Sequence, residues 1–258
     1  MTRLLVVNDD GIAAAGLAAL VEAVTPLGEV WVVAPETDHT AGSHALTLAK
    51  PLRVREAGPR RFAIDGTPAD CVYVALTHLL ADQKPTLVLA GINHGANLAE
   101  DVIYSGTVAA AMEGRLLGVP SIAFSLVSRH ASDFTLASAF ARTLVSAALA
   151  HPVPKTMLLN VNIPGRVAPE GVRITSLGRH TYGAGVIQKE DPRGRPYFWI
   201  GGTGYEHEPI PGTDCTAVHD ERCISITPLQ LDLTDRPFLE VLSTWKLEVP
   251  APSRPPSR

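Results

Sequence analysis

An acidic pair, Asp9 and Asp10, follows an apolar run at residues 4–7, near the start of the chain. The run ends in Asn8, the two aspartates and Gly11, which is typical of a short buried strand followed by a turn. Adjacent carboxylates repel each other, and each loses hydration on burial unless a partner compensates. Mg²⁺ takes one or two carboxylates and keeps waters that a phosphate can replace. The pair therefore predicts a divalent-cation site, with an Asx turn before the next helix as the alternative.

Further polar side chains follow the next two predicted strands and open a later helix. They are Thr40 and Ser43 after the second strand, Asn93 and Asn97 after the third, and Ser105, Gly106 and Thr107 at the helix start. Parallel strands end at one edge of a sheet, so these residues can converge with the acidic pair. Their oxygens suit Mg²⁺, Mn²⁺ or Ca²⁺ better than a soft metal. A helix start rich in hydroxyls also suits an anion, so the sequence predicts metal and phosphate chemistry. The alternative is that Ser105 or Thr107 only caps the helix, and the two interpretations are compatible.

The elements that must position these residues alternate in type along the first half of the chain. Buried β-type runs at 29–34, 86–90, 121–124 and 157–161 alternate with helical spacing at 13–24, 67–81, 108–117 and 133–150. This order predicts βαβ units and an α/β fold with a parallel sheet. Short pieces at 45–48, 52–55 and 61–64 are interpreted as a hairpin or edge addition. The first turn lacks a glycine fingerprint, which removes the main support for dinucleotide binding.

The pattern changes from about residue 172 onwards, where short β-like runs alternate with turn clusters. Residues 176–222 are interpreted as an extended hairpin arm outside the core sheet, and such arms often form contacts between subunits. A last short helix is predicted at 237–245. Residues 249–258 contain four prolines, which predicts a disordered tail after a single domain of residues 1–248.

Composition excludes several classes of protein. The chain has 258 residues, of which 46% are hydrophobic and 19% charged, as expected for a globular protein with a sizeable core. A net charge of −4 and a pI near 6.1 give no support for a nucleic-acid or membrane partner. Three cysteines without CxxC spacing argue against a disulfide framework or a zinc site. There is no apolar run long enough for a membrane span, and a cytoplasmic location is expected.

Four motifs occur in the same order along residues 1–245 as in a known family. They are Asn-Asp-Asp-Gly at 8–11, Gly-Ile-Asn-x-Gly at 91–95, the long run around Tyr-Ser-Gly-Thr at 101–114, and Ser-Ile-Thr-Pro-Leu at 225–229. Together they resemble the SurE family of stationary-phase survival proteins. The resemblance implies a Rossmann-like, three-layer core with a parallel sheet, and a homodimer or homotetramer assembled through the C-terminal β-hairpin arm. It also implies a metal-dependent phosphatase that acts on nucleoside 5′-monophosphates, with 3′-monophosphates and short polyphosphate as further candidate substrates.

The same resemblance implies roles for individual residues. The metal ligands would be Asp9, Asp10, Asn93 and Thr40, holding one divalent ion per subunit, Mg²⁺ or Mn²⁺. Many members have serine at the position of Thr40, so Ser43 is kept as the alternative ligand. The phosphate contacts would be Asn97, Ser105, Gly106 and Thr107.

Asp9 and Asp10 are also the expected catalytic residues. In the favoured hypothesis the ion draws charge off the phosphoryl group, and Asp9 or Asp10 orients or deprotonates an attacking water. The alternative makes one aspartate the nucleophile, which gives an aspartyl-phosphate intermediate. His94 is a candidate general acid, and His39 and His44 are candidate contacts to base or phosphate. Loop histidines without a role are the alternative.

Two other classes of function use a similar arrangement. A signalling receiver module also holds Mg²⁺ on an acidic pair after its first strand, but it needs an acceptor aspartate where this chain has Asn93. A nucleotide-sugar transferase, or a nucleotide-binding protein without turnover, would use the same edge of the sheet. Release of inorganic phosphate without an acceptor separates a hydrolase from these alternatives.

Overall fold

The computed structural model describes residues 2–128, 133–165, 168–182, 185–200, 205–247 and 249. Its elements, up to the end of the predicted core, are β1 Arg3–Val7, α1 Ala15–Val24, β2 Glu29–Pro35, β3 Val54–Gly58, β4 Arg61–Ile64, α2 Pro68–Val74, β5 Leu87–His94, α3 Asp101–Tyr104, α4 Gly106–Leu116, β6 Ser121–Val127, α5 Thr135–Ala150 and β7 Leu158–Pro164. The remainder are β8 Val172–Ile174, β9 His180–Tyr182, β10 Val186–Glu190, β11 Pro196–Ile200, β12 Tyr205–His207, α6 Asp214–His219, β13 Ile224–Pro228 and α7 Arg236–Ser243.

The central sheet has nine strands in the order β3-β4-β2-β1-β5-β6-β7-β13-β8. Its middle is parallel, from β4 through β2, β1, β5 and β6 to β7. Only the flanks depart from this, because β3 pairs antiparallel with β4 and β13 pairs antiparallel with β7. The predicted α/β fold with a mostly parallel sheet is confirmed, and so is the predicted hairpin addition, although residues 45–48 form no strand.

Helices cover both faces of this sheet, which gives three layers. Successive residues of a strand point to opposite faces, so Leu4 and Val6 pack with α1 and α5 while Leu5 and Val7 pack with α2 and α4. The residues of β1 on both sides are fully buried. This explains the unbroken apolar run in its sequence, since a parallel strand between two helical layers has no solvent face.

The helix after β4 begins where its sequence predicts. Thr67 is the N-cap, and its hydroxyl accepts from the Asp70 N–H while the Asp70 carboxylate accepts from the Thr67 N–H, which forms a capping box. Pro68 occupies the first turn. The predicted helix at 67–81 is nevertheless divided, because α2 ends at Val74 and a π-helical turn follows over Ala75–Leu79.

The predicted arm consists of two small antiparallel sheets, β9 with β12 and β10 with β11, outside the central sheet. It is shorter at its C-terminal end than the predicted 176–222, because α6 packs on β7 and β13. Cys215, Ala217 and Val218 of α6 are buried there, so this part of the chain belongs to the core. The last helix, α7, lies close to its predicted position, while the predicted tail at 249–258 lies outside the described residues apart from Val249.

No helix in the described ranges combines the length and the apolar character that a membrane span requires.

We predict that Gly114→Ala destabilises the protein although alanine is the better helix former. A Cβ at this position of α4 would lie 2.8 Å from Val88 Cγ2 on β5, inside a packed layer, and overpacking of this kind costs about 1–3 kcal/mol. Chemical denaturation measures the free energy of unfolding. Gly171→Ala is the matched control, because its Cβ would meet nothing closer than Arg173 Nη1 at 3.6 Å. Equal stability of the two variants would contradict this view of the packing between α4 and the sheet.

Candidate functional site

The turn after β1 is built by its own side chains. Asn8 donates from Nδ2 to the Gly11 carbonyl at 2.9 Å, and Gly11 has a φ of +99°, a conformation that favours glycine. The Asp9 carbonyl accepts from the His39 N–H at 2.9 Å, which ties the loop after β2 to the acidic pair. The order Asn-Asp-Asp-Gly therefore fixes the backbone so that both carboxylates leave the carboxyl end of β1.

Asp9 is buried against the start of α4. The Thr107 hydroxyl donates to its Oδ1 atom, and a Cβ on Gly106 would lie only 2.8 Å from Asp9 Cβ, so glycine is required for this close approach. Burial, with a smaller contribution from the charge of Asp10, raises the pKa of Asp9 from 3.8 to about 6. The hydrogen bond from Thr107 acts in the opposite direction. The site therefore holds a carboxylate that lacks compensating charge from the protein.

Asp10 has different neighbours from Asp9, and its carboxylate lies beside His94 at the end of β5. Its Oδ2 atom lies 3.8 Å from His94 Nδ1, beyond hydrogen-bond distance, and has no hydrogen-bond partner among the described residues although it is buried. Burial raises the pKa of Asp10, while His94 opposes this effect and the nearby charge of Asp38 adds to it. The His94 ring packs edge-on against Phe134, with the ring centroids 4.7 Å apart. The predicted candidate acid His94 therefore lies beside the acidic pair.

The loop after β2 brings Thr40 and Ser43 to the same edge by different contacts. The Thr40 hydroxyl and N–H donate to Asp38 Oδ1 at 2.6 and 2.7 Å. The Ser43 hydroxyl donates to the Ile103 carbonyl at 2.8 Å, and its N–H donates to the Tyr104 carbonyl at 3.0 Å. Ser43 thus joins this loop to the residues just before Ser105, while Thr40 is exposed.

Asn93 lies near the end of β5, and Asn97 lies in the loop that follows it. Asn93 donates from Nδ2 to the Gly95 carbonyl at 3.1 Å, which leaves its amide oxygen as the group available to a cation. Asn97 is buried, and its Nδ2 donates to the Ser125 hydroxyl at 2.7 Å.

Two residues that are absent from the predicted site, Asn160 and Asn162, also contact Asn97. Both are fully buried on β7. The signal for them is the Asn-Val-Asn alternation, which puts two amides on one face of a strand that is otherwise apolar.

The start of α4 offers hydrogen-bond donors beside the acidic pair. Ser105 is the N-cap, with its Oγ atom accepting from the Val108 N–H at 3.1 Å, as its sequence position predicts. The first amides of a helix have no acceptor inside the helix and attract an anion. Thr107 is predicted as a phosphate contact, and its hydroxyl donates to Asp9 Oδ1 in the structure.

The remaining candidates around this edge lie in distinct environments. His44 Nε2 lies 2.7 Å from Glu113 Oε2 on α4, so this ring is engaged within the chain. His39 is half-buried. Tyr104, next to Ser105, is 59% exposed.

No group of three or more His, Cys, Asp or Glu side chains suited to a metal ion occurs within the described residues. The donors gathered here are instead two carboxylates with amide and hydroxyl oxygens, which is the set that Mg²⁺ or Mn²⁺ accepts alongside water. The unpartnered Asp10 Oδ2 atom is the strongest indication of a cation site, because burying a carboxylate oxygen without a partner costs free energy. The residues present therefore fit a divalent ion.

Comparisons with known proteins agree on one family. The family model described as Survival protein SurE matches residues 4–184. A protein of Myxococcus xanthus named 5′-nucleotidase SurE is 61% identical over 95% of this chain and 94% of its own length. A protein of Vibrio cholerae with the same name is 46% identical over 95% of this chain and 98% of its own length. The crystal structure of the SurE protein from Aquifex aeolicus superposes with a TM-score of 0.82 at 40% identity, covering 94% of this chain and 98% of that chain.

We predict that the metal-free protein loses stability as the pH rises. A carboxyl group whose pKa is raised by folding stabilises the fold below its unfolded value, and this contribution is lost as the pH passes through the folded value. For Asp9, raised from 3.8 to about 6, the loss is about 3 kcal/mol. Thermal unfolding in EDTA between about pH 4 and 8 measures the effect.

Asp9→Asn is the test variant, because it removes the titrating group and keeps its shape. The loss of stability with rising pH should be smaller in this variant than in the wild type, with Asp10 supplying the remainder. The same dependence on pH in both proteins would contradict the assignment to Asp9.

Proposed function

This chain belongs to the SurE family, and on that premise we propose that it hydrolyses nucleoside 5′-monophosphates to nucleoside and phosphate with one divalent metal ion. The printed name of the relatives, 5′-nucleotidase SurE, supports the reaction class. The observation that carries the proposal is the buried Asp10 Oδ2 atom without a partner, beside Asp9 and the start of α4. This edge joins a place for a cation to a place for a phosphate.

Asp9, Asp10, Asn93 and Thr40 are the proposed ligands of the ion, which we take to be Mg²⁺ or Mn²⁺. Ser43 is the alternative to Thr40, and both hydroxyls already donate a hydrogen bond, Thr40 to Asp38 Oδ1 and Ser43 to the Ile103 carbonyl. When bound, the ion would neutralise charge on the phosphoryl oxygens and activate a water.

The chain's own residues would position the reacting groups. Ser105, Gly106 and Thr107 are the proposed phosphate contacts through the first amides of α4 and the Ser105 hydroxyl, and Asn97 is a further proposed contact through its side chain. Asp9 is held by Thr107, so Asp10 is the better placed of the pair to orient an attacking water. His94, 3.8 Å from Asp10 Oδ2, is the proposed donor of a proton to the leaving oxygen.

The substrate range of this proposal extends to related phosphate esters and to phosphate anhydrides. 3′-Monophosphates and short polyphosphates present the same terminal phosphoryl group to the site. All three cysteines are free and buried, which fits the reducing cytoplasm that we propose as the location.

The direct test is phosphate release from the ribonucleoside monophosphates with Mg²⁺, with Mn²⁺ and with EDTA. We expect metal-dependent turnover in the wild type and a loss of about 100-fold or more in Asp9→Asn and Asp10→Asn. Ser105→Ala should retain more activity, since the helix amides remain. Asp82→Asn is the matched control, because Asp82 is an exposed carboxylate next to Gln83, which contacts Arg3 at the opposite end of β1.

Folded wild-type protein that binds nucleotide without releasing phosphate under any of these conditions would overturn the proposal in favour of a binding module.

We further propose that the chain assembles as a homodimer or homotetramer through its β-hairpin arm. The hairpin of β10 and β11 lies outside the central sheet and exposes Tyr197, Phe198, Trp199 and Ile200. Apolar surface of this kind is typical of contacts between proteins.

Phe198→Asp with Trp199→Asp should lower the mass measured by light scattering, because charges on that surface oppose association. Leu233→Asp, at an apolar position outside the hairpin that is even more exposed, is the control. An unchanged mass in the hairpin variant would exclude the arm as the interface.

A further inference from the structure

Asn97 is held on both sides of its peptide backbone by side chains from the adjacent strand ends. Its N–H donates to Asn162 Oδ1 at 2.9 Å, and its carbonyl accepts from Asn162 Nδ2 at 3.0 Å and from Asn160 Nδ2 at 2.8 Å. Its own side chain donates to Ser125 Oγ at 2.7 Å. The group formed by Ser125, Asn160 and Asn162 is called the amide clamp below.

The clamp lies at the carboxyl ends of β6 and β7, where Ser125 pairs with Asn162 in the sheet. Asn160 and Asn162 are two residues apart, so their side chains share one face of β7, and all three members are fully buried. An amide side chain carries its acceptor oxygen and its donor nitrogen on separate atoms, so one asparagine can bond an N–H and a carbonyl at the same time. The Asn162 amide therefore bonds both polar groups of the Asn97 backbone, as a neighbouring strand would do.

The clamp connects to the start of α4 through a short, well-held segment. Two residues after Asn97, the Ala99 N–H donates to the buried carboxylate of Asp214 at 3.0 Å. The Ser105 N–H in turn donates to the Asp101 carbonyl at 3.0 Å. The distance between Asn97 and Ser105 is thus set by hydrogen bonds along the whole segment.

We infer that Asn160 and Asn162 are positioning residues for the phosphate site, acting through Asn97 without touching substrate. The inference rests on the proposed function, in which Asn97 contacts the phosphate. Misplacement of such a contact by about 1 Å can lower the rate about 100-fold. A purely structural role would instead lower the thermal stability and leave the folded enzyme unchanged.

Asn162→Leu is the main test variant, because it keeps the approximate size of the side chain and removes both of its bonds to Asn97. Asn160→Leu is the second variant, since it removes a single donor and leaves Asn162 to hold Asn97. Ser225→Ala is the matched control. Ser225 is buried on β13 opposite Asn162, and its hydroxyl has no hydrogen-bond partner among the described residues.

The measurement is KM and kcat for nucleoside monophosphate hydrolysis, with thermal unfolding of each protein. Asn162→Leu should raise KM and lower kcat/KM by about 10- to 100-fold, Asn160→Leu should show a smaller change of the same kind, and Ser225→Ala should match the wild type. In an Asn97→Ala background, Asn162→Leu should cause little further loss, because residues that act through one another are not additive.

Three outcomes would overturn the inference. The first is kcat/KM within about twofold of the wild type in the folded Asn162→Leu protein, or in Asn160→Leu if the former does not fold. The second is a loss in the double variant equal to the product of the single losses. The third, a wild type without turnover, would overturn the proposed function and the positioning role together, whereas the first two leave the proposed function intact.

Discussion

The burial of two adjacent carboxylates at the end of β1 is the constraint on which the rest of the site depends. Burial raises the pKa of both carboxyls, the charge of Asp10 adds to the rise at Asp9, and the described residues offer the pair few positive partners. Asp9 is partly compensated by Thr107, and Asp10 by His94 at a distance too long for a hydrogen bond. Natural proteins retain such strain at functional positions. The structure therefore leaves negative charge at this edge without compensation, and a divalent ion would supply it.

The parallel sheet supplies the surroundings that this requirement needs. The six central strands, from β4 to β7 in the sheet order, run parallel, so the ends of β1, β2 and β5 and the start of α4 meet at one edge. The loops at this edge are bonded to one another as well as to the sheet. The His39 N–H bonds to the Asp9 carbonyl, Ser43 bonds to Ile103 and Tyr104, and Asn97 bonds to the clamp. Displacement of one loop would consequently disturb the others.

Much of this arrangement could be predicted from the sequence because it depends on local patterns. The apolar runs indicated the strands, Thr67 and Ser105 indicated helix starts, and the polar residues after three of the strands predicted the edge at which the candidate site lies. The features that the sequence did not predict depend on contacts between residues that are far apart along the chain. Nothing near Asn160 and Asn162 in the sequence indicates that both contact Asn97. The burial of α6 depends on its contacts with β7 and β13, so the local sequence did not separate this helix from the arm. The hydroxyl of Thr107 could serve a phosphate or Asp9, and only the packing of Gly106 against Asp9 decides its direction.

The most direct test of the cation site is a titration of metal-free protein with Mn²⁺, in which the paramagnetic signal reports the free ion. We predict one Mn²⁺ site per chain in the wild type and in Asp82→Asn. Asp10→Asn should lose that site, because its side chain no longer supplies the unpartnered carboxylate oxygen. Unchanged Mn²⁺ binding in Asp10→Asn would contradict the claim that this edge of the sheet is built to hold a divalent ion.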